Sequence, residues 1–298
     1  HIGRPGGMFV GSLQTDLVAE AYSRLINRPV KKVNGEIQQG AFRLIGREAR
    51  DAAQRMQPGD IIMLDNTRFD RRENSKKKQR RISLAQEIVN LAPQGKAVFV
   101  MDGFPITHRG YTASVTDIAT LVPGVKGLWQ SEEERLHNDF LRLLRYRSSR
   151  GRLVVLFGGA KPDKQKEISE FCRQYLQFGD VVILAGKHPA TLLDRNTEDI
   201  LTGRRIDIIR PLDTVGEGED IGPATIRRIQ QVVNQTDILF WEGPLGRFEQ
   251  EPFQMGGFTI VRDVARLTEQ RRIVRAFISG GELGWMTKLA LGWTEKDR

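Results

Sequence analysis

Three apolar segments of this chain end in a glycine-rich turn, and this recurrence constrains the fold more than any other feature. They are residues 153–160 (LVVLFGGA), 240–249 (FWEGPLGRFE) and 276–282 (AFISGGE). A short apolar run that stops at glycine is typical of a buried strand followed by a tight turn. Three such strands predict one parallel sheet with exposed backbone at its carboxyl edge, where open α/β sheets bind ligands. One such turn alone would indicate only a loop.

Length and composition predict a globular protein with two domains. A chain of 298 residues can bury two substantial cores. Its 39% hydrophobic and 28% charged residues are ordinary for a soluble protein. No apolar run approaches the ~20 residues that span a membrane. The single cysteine, Cys172, excludes an internal disulfide and favours a reducing compartment, so we expect a cytoplasmic protein.

The charge balance favours anionic partners. Lysine and arginine number 46 against 37 acidic residues, a net charge of +9. Phosphorylated metabolites and nucleic acids both satisfy that balance. The densest basic run lies within residues 71–81 and is either a patch for nucleic acid or an acidic partner, or a solvated loop and helix start. No aromatic residues interleave with it to stack bases, so nucleic acid ranks second without being excluded.

The local pattern alternates strands and helices. Residues 12–26 have helical apolar spacing, with Ser12 as the predicted N-cap. A strand over residues 61–64 leads to Asn66 and Arg68, and a strand over residues 97–101 leads to His108 and Arg109. This order predicts parallel pairing. Further segments are predicted as a helix at 132–145, strands at 180–184, 237–241 and 273–278, and irregular structure at 203–222.

Read together, seven collinear motifs resemble the phosphoglycerate kinase family. WEGPLGRFEQEPF resembles its W-N-G-P-M-G-V-F-E-x-x-x-F loop, VVLFGGAKPDK its L-G-G-A-K-V-x-D-K segment and SGGE its G-G-G-D turn. HIGRPGG resembles S-H-L-G-R-P-K-G, and MLDNTRF resembles L-E-N-x-R-F. MDGFPITHRGYTAS resembles N-D-A-F-x-x-A-H-R-A-H-A-S, and EDIGPATI resembles D-I-G-P-K-T. The compact build and the THRG spacing look closer to archaeal members.

The resemblance implies an α/β fold of two Rossmann-like lobes whose parallel sheets face a central cleft. Residues 1–135 would form the lobe that binds 3-phosphoglycerate, without the family's first strand, and residues 136–298 the lobe that binds nucleotide. The implied activity is phosphoryl transfer from 1,3-bisphosphoglycerate to ADP, which gives 3-phosphoglycerate and ATP in glycolysis and gluconeogenesis. The implied ligands are Mg-ADP or Mg-ATP and the phosphoglycerates, and we expect a monomer.

The resemblance also implies two sets of site residues. The substrate would be held by a basic group, because guanidinium donates paired hydrogen bonds to phosphate and carboxylate. Its members are His1, Arg4, Arg68, His108 and Arg109. Arg4, Arg68, Arg109 and Lys161 would stabilise the transferring phosphoryl group. The nucleotide would be bound by Gly158, Gly159, Lys161, Lys164, Gly243, Pro244, Glu249, Gly280 and Gly281.

Particular roles follow from the same motifs. Glu249 matches the carboxylate that holds the ribose hydroxyls, and Glu282 the acid that meets nucleotide-bound magnesium, for which a carboxylate is a suitable hard ligand. The family's second phosphate-binding lysine falls at Gln165, flanked by Lys164 and Lys166, and either could serve. Lys161 should contribute more to ADP affinity than these two lysines.

Departures from the motifs support a rival hypothesis. Glu242 stands where the family has asparagine, and Leu283 where it has a hydroxyl residue; both weaken the nucleotide interpretation. The 298 residues begin after the family's first strand and stop before its last glycine loop, so we expect this polypeptide to transfer phosphate poorly or not at all. The alternative is a catalytically impaired relative, retained either as an assembly subunit or as a protein that binds an anionic partner, nucleic acid being one candidate.

Overall fold

A computed structural model describes residues 1–93, 95–107, 110–146, 151–159 and 164–293. The chain forms two compact units, His1–Asn138 and Asp139–Arg298. The predicted domain boundary, after residue 135, falls close to this division. A long helix, α4 (Leu128–Tyr146), contains both positions.

Unit 1 is built from short strands and three shorter helices. Its strands are β1 (Val30–Val33), β2 (Glu36–Gln38), β3 (Ala41–Arg43), β4 (Ile61–Leu64), β5 (Phe99–Met101) and β6 (Gly124–Lys126). Its helices before α4 are α1 (Asp16–Ile26), α2 (Arg47–Gln54) and α3 (Lys78–Val89). Strand β1 pairs in parallel with β4, and β5 with β6, while β2 and β3 form an antiparallel hairpin. The described strands of unit 1 therefore form separate pairs.

Helix α1 begins later than its sequence pattern predicts. Residues Gly11–Leu13 form a 3₁₀ turn, and the residue before α1 is Thr15, not Ser12. The Thr15 hydroxyl donates to the carbonyl of Leu64 at 3.0 Å, at the end of β4. This contact with a residue distant in sequence sets the helix start, so the predicted N-cap was wrong.

Three phenylalanine rings pack together in the core of unit 1. Phe69 is fully buried, and its ring centroid lies 5.3 Å from those of Phe9 and Phe42. Apolar residues of α2 and α3 pack into the same cluster. This packing fixes the segment after β4, which carries Arg68, against the N-terminal segment.

Unit 2 is a five-stranded parallel sheet with helices on both faces. Its sheet strands are β7 (Leu153–Phe157), β8 (Val181–Leu184), β9 (Asp207–Ile209), β12 (Ile238–Glu242) and β13 (Arg275–Ser279), in the spatial order β13-β12-β7-β8-β9. A short antiparallel pair comprises β10 (Thr214–Val215) and β11 (Asp220–Ile221). The helices are α5 (Gln165–Tyr175), α6 (Arg195–Gly203), α7 (Pro223–Val233), α8 (Met255–Glu269) and α9 (Gly281–Leu291).

The predicted strands of unit 2 lie within two residues of the observed ones, but three short strands, β9, β10 and β11, were not predicted. Residues 203–222 were predicted to be irregular, yet β9 lies there as the edge strand of the sheet, paired with β8. Its three residues carry too little local pattern to reveal a strand. The ladder with β8 and the burial of Ile209 define it.

Alternate residues of the central strands face two separate cores. Val154 and Leu156 of β7 pack with α7, α8 and α9 on one face of the sheet. Leu153, Val155 and Phe157 pack with α5, α6 and the end of α4 on the other face. A sheet buried on both faces requires continuous apolar strands, which explains why β7 is apolar throughout.

The prediction of an α/β fold with parallel sheets is confirmed. In the described part of the chain, no helix is long and apolar enough to cross a bilayer. Among the same residues, no three His, Cys, Asp or Glu side chains are grouped so that they could hold a metal ion. The cleft between the lobes stays a prediction.

Candidate active site

The turn after β7 is built against the turn after β12. Gly158 N donates to Glu242 O, and Gly159 N donates to Pro244 O, both at 2.7 Å. A Cβ at Gly158 would lie 2.3 Å from Pro244 O, and one at Gly243 would lie 2.7 Å from Gly158 O. Glycine is therefore required where these two backbones meet.

The turn after β8 continues the same edge. Lys187 N donates to Gly159 O at 3.3 Å. Gly186 has φ +88°, and a Cβ there would lie 2.3 Å from Gly159 O. The turns after β12, β7 and β8 thus meet side by side, in the order of their strands.

The fourth turn, after β13, opens helix α9. Gly280 has φ +100°, and a Cβ at Gly280 or Gly281 would meet no atom of the described residues within 4 Å. Glu282 lies in the first turn of α9. The amide groups of an 11-residue helix start here beside open space, an arrangement that favours an anion.

These four turns border one pocket at the carboxyl edge of the sheet, with a volume of about 550 Å³. Four residues predicted from sequence line it: Gly159, Pro244, Glu249 and Glu282. Gly158 and Gly243 shape its backbone, and Gly280 and Gly281 lead into Glu282. The remaining lining residues are Gly186, Lys187, Gly218, Glu219, Leu245, Gly246, Arg247 and Gln250. Lys161 lies outside the described residues.

Three of the lining residues form a charged cluster that sequence reasoning missed. Lys187 Nζ donates to Glu219 Oε1 at 2.9 Å, and Arg247 lies 3.6 Å from Glu219 Oε2. The hydrogen bond from Lys187, with the charges of Lys187 and Arg247, holds the pKa of Glu219 below its ordinary value. Arg247 lies inside a recognised motif, at the position of the family's valine, but Lys187 belongs to none of the motifs.

Lys164 is paired with an acid at the end of β12. Its ammonium donates to the carboxylate of Glu242, and both side chains are partly exposed. Both were singled out from sequence, one as a nucleotide ligand and the other as a departure from the family motif. The structure brings the two together.

A buried carboxylate anchors the loop beneath the pocket. Asp220 accepts hydrogen bonds from the backbone N–H groups of Ile221 and Gly256, each at 2.8 Å. Burial raises the pKa of Asp220 to about 6. A Cβ at Gly246 would lie 2.3 Å from Asp220 Oδ1, so the loop packs directly on this carboxyl. Asp220 was missed as a positioning residue, although it lies in the EDIGP motif.

Unit 1 carries a second, basic pocket of about 500 Å³. Arg4 and Arg68 line it, as does Arg71, which was not predicted as a site residue. Arg68 donates to the carbonyl of Gly3 through one terminal nitrogen, while its Nε is buried and has no hydrogen-bond partner among the described residues. The other lining residues are Pro5, Gly6, Gly7, Asp70 and Asn74. Three guanidinium groups therefore border one cavity.

His1 faces a buried acid. Its Nε2 lies 2.7 Å from Glu73 Oε1, and the Ser114 hydroxyl donates to the same oxygen at 2.6 Å. Burial raises the pKa of Glu73. His1 is not among the residues that line the pocket of Arg4 and Arg68. His108 and Arg109 lie outside the described residues.

Two arginines of the basic run point inward. Arg72 donates to Asp70 and Glu87, and Arg81 Nε donates to Asp117 at 2.6 Å. Arg72, Arg81, Asp70 and Asp117 are all buried. The solvated cations of the run are Arg71, Lys76, Lys77, Lys78 and Arg80. Part of the sequence run is therefore a set of internal ion pairs, which weakens the case for a nucleic-acid patch.

The parallel sheet of unit 2, with glycine turns and a helix N-terminus at its carboxyl edge, defines a nucleotide-binding class of α/β domain. The family model described as phosphoglycerate kinase matches residues 1–210 and 202–290. The chain belongs to the phosphoglycerate kinase family.

Curated relatives agree with this assignment. The phosphoglycerate kinase of Mycobacterium avium is 30% identical over 307 residues, which cover 90% of this chain and 69% of the relative. That of Corynebacterium aurimucosum is 28% identical over 302 residues, covering 90% of this chain and 71% of the relative. The family predicted from seven motifs is thus confirmed.

Solved structures show the same fold. Phosphoglycerate kinase from Pyrococcus horikoshii aligns with TM-score 0.65 and 19% identity, covering 94% of this chain and 80% of that one. The enzyme from Coxiella burnetii aligns with TM-score 0.58 and 20% identity, covering 98% and 85%. The predicted archaeal likeness stays a prediction.

Proposed function

We propose that this protein transfers a phosphoryl group between 1,3-bisphosphoglycerate and ADP, to give 3-phosphoglycerate and ATP. The observation that carries the proposal is the pocket of unit 2, where Gly159, Glu249 and Glu282 converge on one edge of the parallel sheet. Family membership supplies the substrate class. The cytoplasmic location and the monomeric state stay predictions.

The pocket of unit 2 would bind the nucleotide. Backbone amides at the start of α9 attract the phosphates, and Glu249 accepts hydrogen bonds from the ribose hydroxyls. Glu282 beside them fits nucleotide-bound magnesium, because Mg²⁺ takes one or two carboxylates together with phosphate oxygens and water. The ion would neutralise phosphate charge.

The basic pocket of unit 1 would bind the phosphoglycerate. Arg4 and Arg68 face the same cavity, and Arg71 adds a third guanidinium. Planar guanidinium groups suit both the phosphate and the carboxyl end of this substrate. Arg68 Nε, which is buried and has no partner in the described part of the chain, is a donor that an anionic ligand would satisfy.

The reaction requires positioning more than covalent catalysis. A β-phosphate oxygen of ADP attacks the phosphorus of the acyl phosphate, the bond from phosphorus to the carboxyl oxygen breaks, and the carboxylate leaves. No proton moves. Arg4, Arg68, Arg109 and Lys161 would stabilise the charge on the transferring oxygens.

A coupled assay with 3-phosphoglycerate and Mg-ATP tests the proposal. We expect turnover that falls on the order of 10²-fold to 10³-fold in Arg68→Ala, since one lost donor to a transition-state oxyanion has that effect. Arg24→Ala, at an exposed position of α1, is the control. Nucleotide binding without turnover in the unsubstituted chain would favour the alternative, a catalytically impaired binding protein.

A further inference from the structure

Charged residues occupy the β8 end of the nucleotide pocket. We call Lys187, Glu219 and Arg247 the base-end cluster. The side chains of the two cations are 47% and 55% exposed, whereas that of Glu219 is 20% exposed. The family motif places valine where Arg247 stands. A charged group thus replaces an apolar one in this wall.

The order of the strands gives the direction of the ligand. Glu282 follows β13 and Lys187 follows β8, which lie three positions apart in the sheet. Strands in a sheet are about 4.8 Å apart, so the two ends are separated by roughly 14 Å. The inference rests on the proposed function, in which Glu282 marks the phosphate end. The base then lies at the opposite end, beside the base-end cluster.

The cluster is complementary to one base in particular. Guanine presents two adjacent N–H donors, at N1 and N2, next to the acceptor O6. The Glu219 carboxylate can accept both donors, and the Lys187 ammonium beside it can donate to O6, a pairing that lysine and arginine make with guanine. Adenine would turn an acceptor nitrogen toward the carboxylate.

Arg247 contributes a planar surface. Its guanidinium lies 3.6 Å from Glu219, its side chain is more than half exposed, and the residue lines the pocket. Guanidinium planes stack on nucleobases. Valine at this position would offer only apolar contact, which does not distinguish bases.

We propose that the base-end cluster makes this site prefer a guanine nucleoside diphosphate, so that GDP takes the place of ADP as the preferred nucleotide of the proposed reaction. A site that hydrogen-bonds a ligand rejects an analogue that lacks the matching groups. Because the cluster is partly exposed, water can satisfy Glu219 when adenine is bound, so discrimination is reduced. We therefore expect a ten- to hundredfold preference rather than the 10⁴-fold of closed sites.

Calorimetry with Mg-GDP and Mg-ADP on the full 298-residue chain tests the proposal. The unsubstituted protein should bind Mg-GDP at least tenfold more tightly. Glu219→Gln should lose most of that preference, because an amide accepts only one donor and presents its own N–H groups to the other. Lys187→Met, which removes the donor to O6, should reduce the preference independently. Glu170→Gln, at an exposed position of α5, is the matched control.

The outcomes separate this inference from the proposed function. Equal affinity for the two nucleotides, or a preference for guanine that persists in both variants, would overturn the selectivity while leaving a nucleotide-binding kinase intact. Binding of neither nucleotide would overturn both. Thermal unfolding of each variant shows whether lost binding reflects lost folding.

Discussion

The ammonium of Lys164 forms an ion pair with the carboxylate of Glu242. Each residue departs from the family motif, one as a displaced lysine and the other as an acid in place of asparagine. The two charges cancel. The lysine neutralises the negative charge that Glu242 would otherwise place near nucleotide phosphates. The departure that weakened the nucleotide interpretation is compensated by its neighbour in space.

This pairing predicts that a second substitution, at Glu242, restores the nucleotide affinity that a substitution at Lys164 removes. Lys164→Ala should weaken binding of a magnesium nucleotide about tenfold, because it leaves the charge of Glu242 unopposed beside the phosphates. The double variant Lys164→Ala/Glu242→Gln should recover most of the affinity. Calorimetry measures both, with Lys78→Ala, at an exposed position of α3, as the control. An equal loss in the single and double variants would show that Lys164 binds phosphate directly.

The glycine contact between the β7 and β12 turns is predicted to be indispensable. Gly158→Ala places a methyl group 2.3 Å from Pro244 O, so the two turns must separate. We expect the free energy of unfolding to fall by about 2–4 kcal/mol. We expect the free energy of nucleotide binding to weaken by about the same amount. Denaturant unfolding measures the first and calorimetry the second.

Gly203→Ala is the matched control for that substitution. It lies at the end of α6, where an added Cβ meets nothing within 4 Å. It should be neutral or stabilise by up to about 1 kcal/mol, because alanine restricts the unfolded chain. Equal stability of Gly158→Ala and Gly203→Ala would contradict the close backbone contact.

The raised pKa of Asp220 predicts a pH-dependent stability. Its folded value of about 6 lies above the ordinary value of 3.8, so folding favours the protonated form. The stability it contributes is fully present below about pH 4 and is lost as pH rises through 6. We expect a decrease of about 1–3 kcal/mol across this interval.

Asp220→Asn isolates the contribution of this carboxyl to the pH dependence of stability. The amide cannot ionise, so the difference in unfolding free energy between wild type and variant should change between pH 4 and pH 7 by that amount. Urea unfolding at several pH values measures it. Asp207→Asn, an exposed acid on β9, is the control. A difference that does not vary with pH would show that Asp220 keeps an ordinary pKa.

The buried pair of Arg81 and Asp117 predicts that neighbouring arginines differ sharply. Arg81→Met leaves the carboxylate of Asp117 buried without its partner, which should lower the free energy of unfolding by about 3 kcal/mol or more. Arg80→Met, one residue earlier and exposed, should change it by less than about 0.5 kcal/mol. Denaturant unfolding compares the two, and similar losses would argue against the internal ion pair.

The sequence by itself determined the features that depend on local pattern. The apolar runs of β7, β12 and β13 and the glycines that follow them identify both the strands and the edge of the sheet at which the pocket of unit 2 lies. Their physical basis is short-range, because a strand buried on both faces, as β7 is, needs continuous apolar residues and a tight turn needs glycine. Motifs containing these turns also determined the family.

Tertiary structure decided whatever depends on partners distant in sequence. The start of α1 is set by Leu64, the direction of Arg81 by Asp117, and the strand β9 by its ladder with β8. Likewise, the Lys187 ammonium is paired with Glu219 at the pocket of unit 2, although the two residues are far apart in sequence. A charge run in sequence cannot show which of its members turn inward, since that choice depends on where the opposite charges lie after folding.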